Sequence, residues 1–368
     1  MIKGLQLCAA STAVGLAFAV PASSQPASSP PAPARPLDVV HVQGGVYAIF
    51  GAGGNVVASV GKDGVFVVDT GTAENADRVV AAIDRLQREA QARNPPEGLG
   101  WAAETRGTLQ ASLNPFGPPK PIRFIVNTHA HPDHVGGNAR LKAAGRTFTG
   151  GNVARDIADA AQGAMVMAHE NVLNALASPP AGQAPADQET LPSDTYFGDA
   201  VKFSQFFNGE GVQLVHPHSA HTDGDTYVVF RGSDVIATGD IFVMNRYPVI
   251  DVAGGGTIDG LLAAVNDIME RVSPEFRLEG GTMIVPGHGR VSDAADLAYY
   301  RDMLTIIRDR IQEMRGRGMS LQQVKAARPT RDYDPRWGAT SGFWTTDQFV
   351  EAVYNTLPPA KRSNRAVR

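Results

Sequence analysis

Three histidines and an aspartate crowd into Thr128-His129-Ala130-His131-Pro132-Asp133-His134-Val135-Gly136-Gly137. The chain has only nine histidines, so three of them between positions 129 and 134 is a pattern that scatter does not produce. Imidazole nitrogens and carboxylate oxygens are ordinary zinc ligands, at about 2.0–2.2 Å. His129 and His131 are two apart, so an extended backbone points both to one side. Asp133 and His134 follow where the chain turns toward a helix, and can face a second point a few Å away. Two cations that share a water lower its pKa from about 15.7 toward 7, which makes a nucleophile without any serine or cysteine. The chain carries no G-x-S-x-G elbow that would supply a serine nucleophile instead.

One loop cannot surround two cations, and three further segments offer ligands. Ala220-His221-Thr222-Asp223-Gly224-Asp225 precedes a β-rich run, Thr238-Gly239-Asp240 ends another, and Pro286-Gly287-His288-Gly289 ends a third. Each sets a ligand type beside glycine at a strand edge, where loops on a rigid sheet can converge on one rim. Asp133 is the candidate proton shuttle. Tyr247, in Asn245-Arg246-Tyr247-Pro248, is a candidate donor to the leaving group. His218, His216, His41 and His169 fit no cluster and read as structural or surface residues. Met165 and Met167 read as helix-packing residues.

Together these segments resemble the metallo-β-lactamase superfamily. H-x-H-x-D-H followed by two glycines is its most specific signature, and Val68-Asp69-Thr70-Gly71 after an apolar strand matches its other early motif. The resemblance implies an αββα sandwich in the α/β class, with two mixed sheets flanked by helices. It implies that His129, His131 and His221 hold one metal and that Asp133, His134 and His288 hold the other. Asp240 would bridge them, and Asp69 would orient the first loop from outside. The implied cofactor is Zn2+, two per chain, with iron or manganese as other occupants.

Within the superfamily, strict β-lactamases generally lack an aspartate at the Asp240 position. Thioesterases, lactonases and phosphodiesterases carry it. Flavodiiron relatives have Glu where this chain has His131, which argues against a redox di-iron site. The expected activity is therefore zinc-dependent hydrolysis by a metal-bridging hydroxide, on an acyl bond such as a β-lactam, lactone, ester or thioester. Phosphodiester cleavage and the chemistry of a mononuclear iron dioxygenase of the same fold are the alternatives.

The elements that must position these groups follow from periodicity and breakers. Short β-rich runs lie at Val39–Val42, Val46–Phe50, Asn55–Val60, Gly64–Asp69 and Ile122–Val126, and β-rich sequence continues from Val201 to Ile241 and at Met283–Val285. Helical patterns span Ala73–Ala90, Val153–Leu176, Ile258–Val272, Ala294–Met314 and Gln348–Thr356. Strands, helices, strands, helices is an order in which each half supplies a sheet and its own cover. Residues 93–121, rich in Pro and Gly, read as a lid or an insertion.

The remaining chain reads as processing and linker sequence. Lys3, the apolar run Leu5–Val20 and Pro21-Ala22-Ser23-Ser24 form a signal-peptide pattern over 1–24. A Pro/Ala/Ser-rich linker covers 25–38, the metallo-hydrolase domain 39–358, and a flexible basic tail 359–368. Export to the periplasm or the extracellular space is expected, with no stable membrane insertion after signal removal. Cys8, the single cysteine, would leave with the signal. A formal net charge of −4 without a basic patch argues against nucleic acid as a partner and for a small-molecule substrate.

Overall fold

In the computed structural model the described residues are 36–61, 63–93, 122–146, 163–179, 182, 184–203, 206–272 and 281–358. The signal-peptide and basic-tail expectations lie outside them, as do residues 94–121 of the expected lid or insertion and all but the last residues of the linker. All described residues belong to the unit Pro36–Arg368.

Four strands, β1 (Asp38–Gln43), β2 (Val46–Phe50), β3 (Val56–Gly61) and β4 (Gly64–Val68), form an antiparallel meander. Strands β5 (Ile122–Val126), β6 (Met165–His169) and β7 (Asp194–Tyr196) add in parallel, so the first sheet runs β1 to β7 in chain order. The second sheet orders β12 (Met283–Val285), β11 (Val235–Ala237), β10 (Tyr227–Phe230), β9 (Val212–Val215) and β8 (Ala200–Lys202). Only β11 and β12 are parallel in it, because the long helix Ile258–Arg271 makes their crossover.

Side chains alternate between two environments along these strands, and that alternation builds the layers. In β4, Val65 and Val67 face the helix Ala76–Arg93, while Phe66 and Val68 face the second sheet. In β11, Val235 and Ala237 face the first sheet, while Ile236 packs under the helices Ile258–Arg271 and Ala294–Gly316. Both faces are covered, so these strands read as unbroken apolar runs rather than as alternations. Phe66 centres the layer between the sheets, with its ring 5.2–6.2 Å from those of Phe124, Phe203, Phe207 and Phe230. The expected αββα sandwich is the fold observed.

One expected element is corrected. The chain from 153 to 176 is not one helix: Met165–His169 is strand β6, and the helix is Glu170–Ala177, capped by His169 accepting from the Asn171 amide. Met165 and Met167 are therefore strand residues. Alanine and methionine favour helix intrinsically, but pairing with β5 on one side and β7 on the other decides the outcome.

Candidate metal centre

The strand registers bring the ligand types to one rim. Val68 pairs with Val126 at the ends of β4 and β5, so Asp69 and the segment Thr128–His134 leave the first sheet side by side. Ala237 pairs with Val285 at the ends of β11 and β12, so Asp240 and His288 leave the second sheet side by side. His221 sits in the connection from β9 to β10. Asn55 ties the two rims: its backbone amide donates to Gly287 O (2.8 Å), and its side-chain amide to Pro286 O (2.8 Å) and Gly289 O (2.9 Å). Gly287 is required there, because a Cβ would lie 2.0 Å from Asp240 Oδ1.

All seven expected ligands converge. His129, His131 and His221 form one group in which the ligand atoms lie within 4.8 Å of one another. Asp133, His134 and His288 form another, and Asp240 joins a third with His129 and His134. Asp240 Oδ1 is 3.3 Å from His134 Nε2 and 3.5 Å from His288 Nε2. Asp133 Oδ2 is 3.1 Å from His288 Nε2. Asp240 thus stands beside both sets, where a bridging group would have to be. His129, His134 and His221 are fully buried, whereas the side chains of His131 and Asp133 are 31% and 35% exposed and mark the open side.

Outer hydrogen bonds fix which nitrogen of each imidazole carries the proton. His221 Nδ1 meets Val249 O at 2.7 Å, and a carbonyl only accepts, so Nδ1 is the donor and Nε2 presents its lone pair. His131 Nε2 meets Asp251 Oδ2 at 3.2 Å, which leaves Nδ1 as the inward lone pair. These two lone pairs face each other across 3.1 Å. Asp69 organises the rest. It takes the Thr128 amide (2.8 Å), the Thr128 hydroxyl (2.8 Å) and His134 Nδ1 (2.7 Å). Thr128 Oγ1, its proton given to Asp69, accepts from His129 Nδ1 at 3.0 Å. Asp69 does this from the left-handed backbone region at φ 60°, which aspartate tolerates better than most residues.

These contacts answer whether the side chains suit a metal. His129 Nε2, His134 Nε2, His288 Nε2 and Asp240 Oδ1 are buried and complete no hydrogen bond among the described residues. Buried polar atoms without partners cost stability, and inward lone pairs repel unless a cation takes them. A metal would satisfy all of them, and nitrogen with carboxylate oxygen is the donor set that zinc accepts.

Charge at the rim points the same way. Burial lowers the basicity of His129, and the neighbouring imidazoles lower it further, so that it stays neutral. Burial also works against a charged His134, but Asp69 and Asp240 outweigh it and hold His134 well above the ordinary histidine range. That negative field also attracts a metal cation, which would displace the proton before His134 Nε2 could bind it. Burial opposes ionisation of Asp133, but contact with His288 and the charge of His134 hold its carboxyl at about 2.

Tyr247 does not reach the rim, which corrects its expected role as a proton donor. Its ring is buried and stacks on Phe349 with centroids 4.6 Å apart. Its hydroxyl is turned to Thr330 O (3.2 Å) and Asp334 Oδ1 (3.1 Å). Of the remaining histidines, His169 and His216 stack at 3.7 Å and His218 pairs with Asp199 at the surface. The sequence reading missed Asp251, Asp225 and Asn55. Asp225 accepts from the backbone amides of His221 (2.6 Å) and Thr222 (2.9 Å) and so shapes the His221 loop.

Comparisons with known proteins bear on the fold and the family. The stereoselective inverting sec-alkylsulfatase Pisa1 from Pseudomonas sp. superposes with a TM-score of 0.52 at 16% identity, over 89% of this chain and 51% of that one. The present chain thus spans about half the length of that protein. A metallo-beta-lactamase from Pontibacter korlensis gives a TM-score of 0.45 at 16% identity, over 73% of this chain and 99% of that chain. No curated protein matches significantly. The family model of the metallo-beta-lactamase superfamily matches residues 50–288, a span that contains Asp69 and all seven converging side chains. The chain belongs to the metallo-beta-lactamase superfamily.

Proposed function

We propose that this protein is a hydrolase that works with two metal ions, most simply zinc, and cleaves an acyl bond in a small molecule. The supporting observation is the meeting of seven side chains from four separate loops, with their unpartnered atoms turned inward. His129, His131 and His221 would hold one ion; Asp133, His134 and His288 would hold the other; Asp240 would touch both. When bound, the ions supply Lewis acidity and an activated water. Asp133, ionised and on the open side, is the group that accepts and returns a proton. The rim is half open at His131 and Asp133, which leaves a side from which a substrate carbonyl would enter. Asp69 keeps the lone pairs of His134 and, through Thr128, of His129 pointed inward.

The net charge of −4 disfavours a nucleic acid as the substrate. We further propose export, on the strength of the Lys3–Ser24 pattern, with the mature domain in the periplasm or outside the cell.

The test is a hydrolysis panel on purified, metal-quantified protein: nitrocefin, a homoserine lactone, a thioester, bis-p-nitrophenyl phosphate and a secondary alkyl sulfate. The last is included because the similar Pseudomonas protein carries that activity in its name. Turnover of one of the acyl substrates, lost with chelator and restored by zinc, is the expected result. Turnover of the phosphodiester or the sulfate alone would overturn the acyl assignment.

A further inference from the structure

The segment Val249–Gly256 carries none of the expected ligands, yet it touches two of them. Val249 O receives His221 Nδ1 at 2.7 Å, and the Asp251 amide donates to His221 O at 2.9 Å. Asp251 Oδ2 receives His131 Nε2 at 3.2 Å. The segment is itself braced: Gly254 N donates to Asp251 Oδ1 (2.9 Å), Gly256 N to Asp251 O (2.8 Å), and Asp223 N to Gly254 O (2.8 Å). Gly256 passes so near His221 that a Cβ would sit 2.1 Å from its carbonyl oxygen.

We propose that Asp251 is the positioning residue of His131 and acts on the three-histidine point alone, whereas Asp69 serves both points, directly through His134 and through the Thr128 hydroxyl to His129. The proposal rests on the metal-binding reading above. Among the described residues Asp251 bonds to neither Asp133, His134, Asp240 nor His288, while Asp69 bonds to neither His131 nor His221 and reaches the three-histidine point only at His129, through Thr128. Both Asp251 oxygens act as acceptors, one for the Gly254 amide and one for His131. An asparagine must therefore present its NH2 to one of those donors. Either the His131 contact is lost or the Gly254 amide that braces Asp251 against His131 is lost, so the hold on Nδ1 as the inward lone pair is broken or loosened at little cost in volume.

The experiment is an equilibrium titration of metal-free protein with cobalt and with zinc, followed by visible absorption and chelator competition. It uses wild type, Asp251→Asn, His131→Ala and the double variant. Wild type should bind two metals. Asp251→Asn should weaken one of the two dissociation constants by about 10- to 100-fold and leave the other unchanged, the usual reach of an outer partner of a ligating histidine. Added to His131→Ala, it should change nothing further. The thermal midpoint and far-UV circular dichroism of the metal-free protein should match wild type, which separates positioning from folding.

Two unchanged constants, two constants weakened equally, or a full additional loss in the His131→Ala background would overturn the role of Asp251. A wild type that binds no metal would instead overturn the reading of the centre itself.

Discussion

At the scale of single residues, the imidazoles are only as useful as the groups behind them. His131 offers Nδ1 inward because Asp251 takes the other nitrogen, and His134 offers Nε2 because Asp69 does. His131→Ala should remove one metal and nearly abolish turnover; metal analysis and initial rates check both, and full activity in that variant would contradict the assignment. Tyr247→Phe should leave kcat unchanged and cost about 0.5–1.5 kcal/mol in denaturant unfolding, since its hydroxyl serves only Thr330 and Asp334. A large fall in kcat with unchanged stability would restore Tyr247 to the chemistry.

The stacked pair His169–His216 makes a pH prediction away from the metal rim. Burial, together with His216 and His218, pushes the His169 imidazole down to about 4. The unfolded chain takes its proton near the ordinary value of about 6.5. The folded state therefore loses stability as pH falls from about 6.5 to about 4, and loses no more below that. His169→Asn keeps an acceptor for the Asn171 amide at the helix cap and should flatten the thermal midpoint over that window relative to wild type. An identical slope in both proteins would contradict the buried, neutral assignment.

At the scale of elements, the ends of four strands do the positioning, and Asn55 links the two sheets that carry them. Asn55→Ala strands the carbonyls of Pro286 and Gly289 and should cost about 1–3 kcal/mol in unfolding free energy. It should also weaken the metal point containing His288 more than the one containing His131, as read by chelator competition. Much of this rim could be read in the sequence, because the ligand types sit next to glycines at the ends of recognisable apolar runs. His129 to His134 announce themselves by density. Asp240 and His288 were legible because Val235–Ala237 and Met283–Val285 are plain strand signals.

What stayed hidden depends on contacts between positions far apart in sequence. Nothing in Ile250-Asp251-Val252 says that its carboxylate meets a histidine 120 positions earlier. Nothing around Tyr247 says that Phe349 will take its ring. Strand β6 was misread for a related reason. Met-Val-Met-Ala-His has no period of its own to settle the question, and only its neighbours in the sheet make it a strand.

At the scale of the whole molecule, two sheets are pressed together by their inner faces and covered outside by helices, so the rim inherits its rigidity from the core. Phe66 is the keystone of the inner layer, and Phe66→Ala should cost about 3–5 kcal/mol by denaturant titration. No helix among the described residues is long and apolar enough to cross a membrane. Metal and fold should also be coupled thermodynamically, because the unpartnered atoms of the rim gain ligand bonds only in the folded state.

The most direct test of the central claim is the metal content of purified protein, dialysed against buffer with trace zinc and measured by mass spectrometry against protein concentration. The account predicts two equivalents in wild type, falling to one when either His131 or His288 is replaced by alanine. Wild-type protein that retains no stoichiometric metal, or variants that lose nothing, would contradict it.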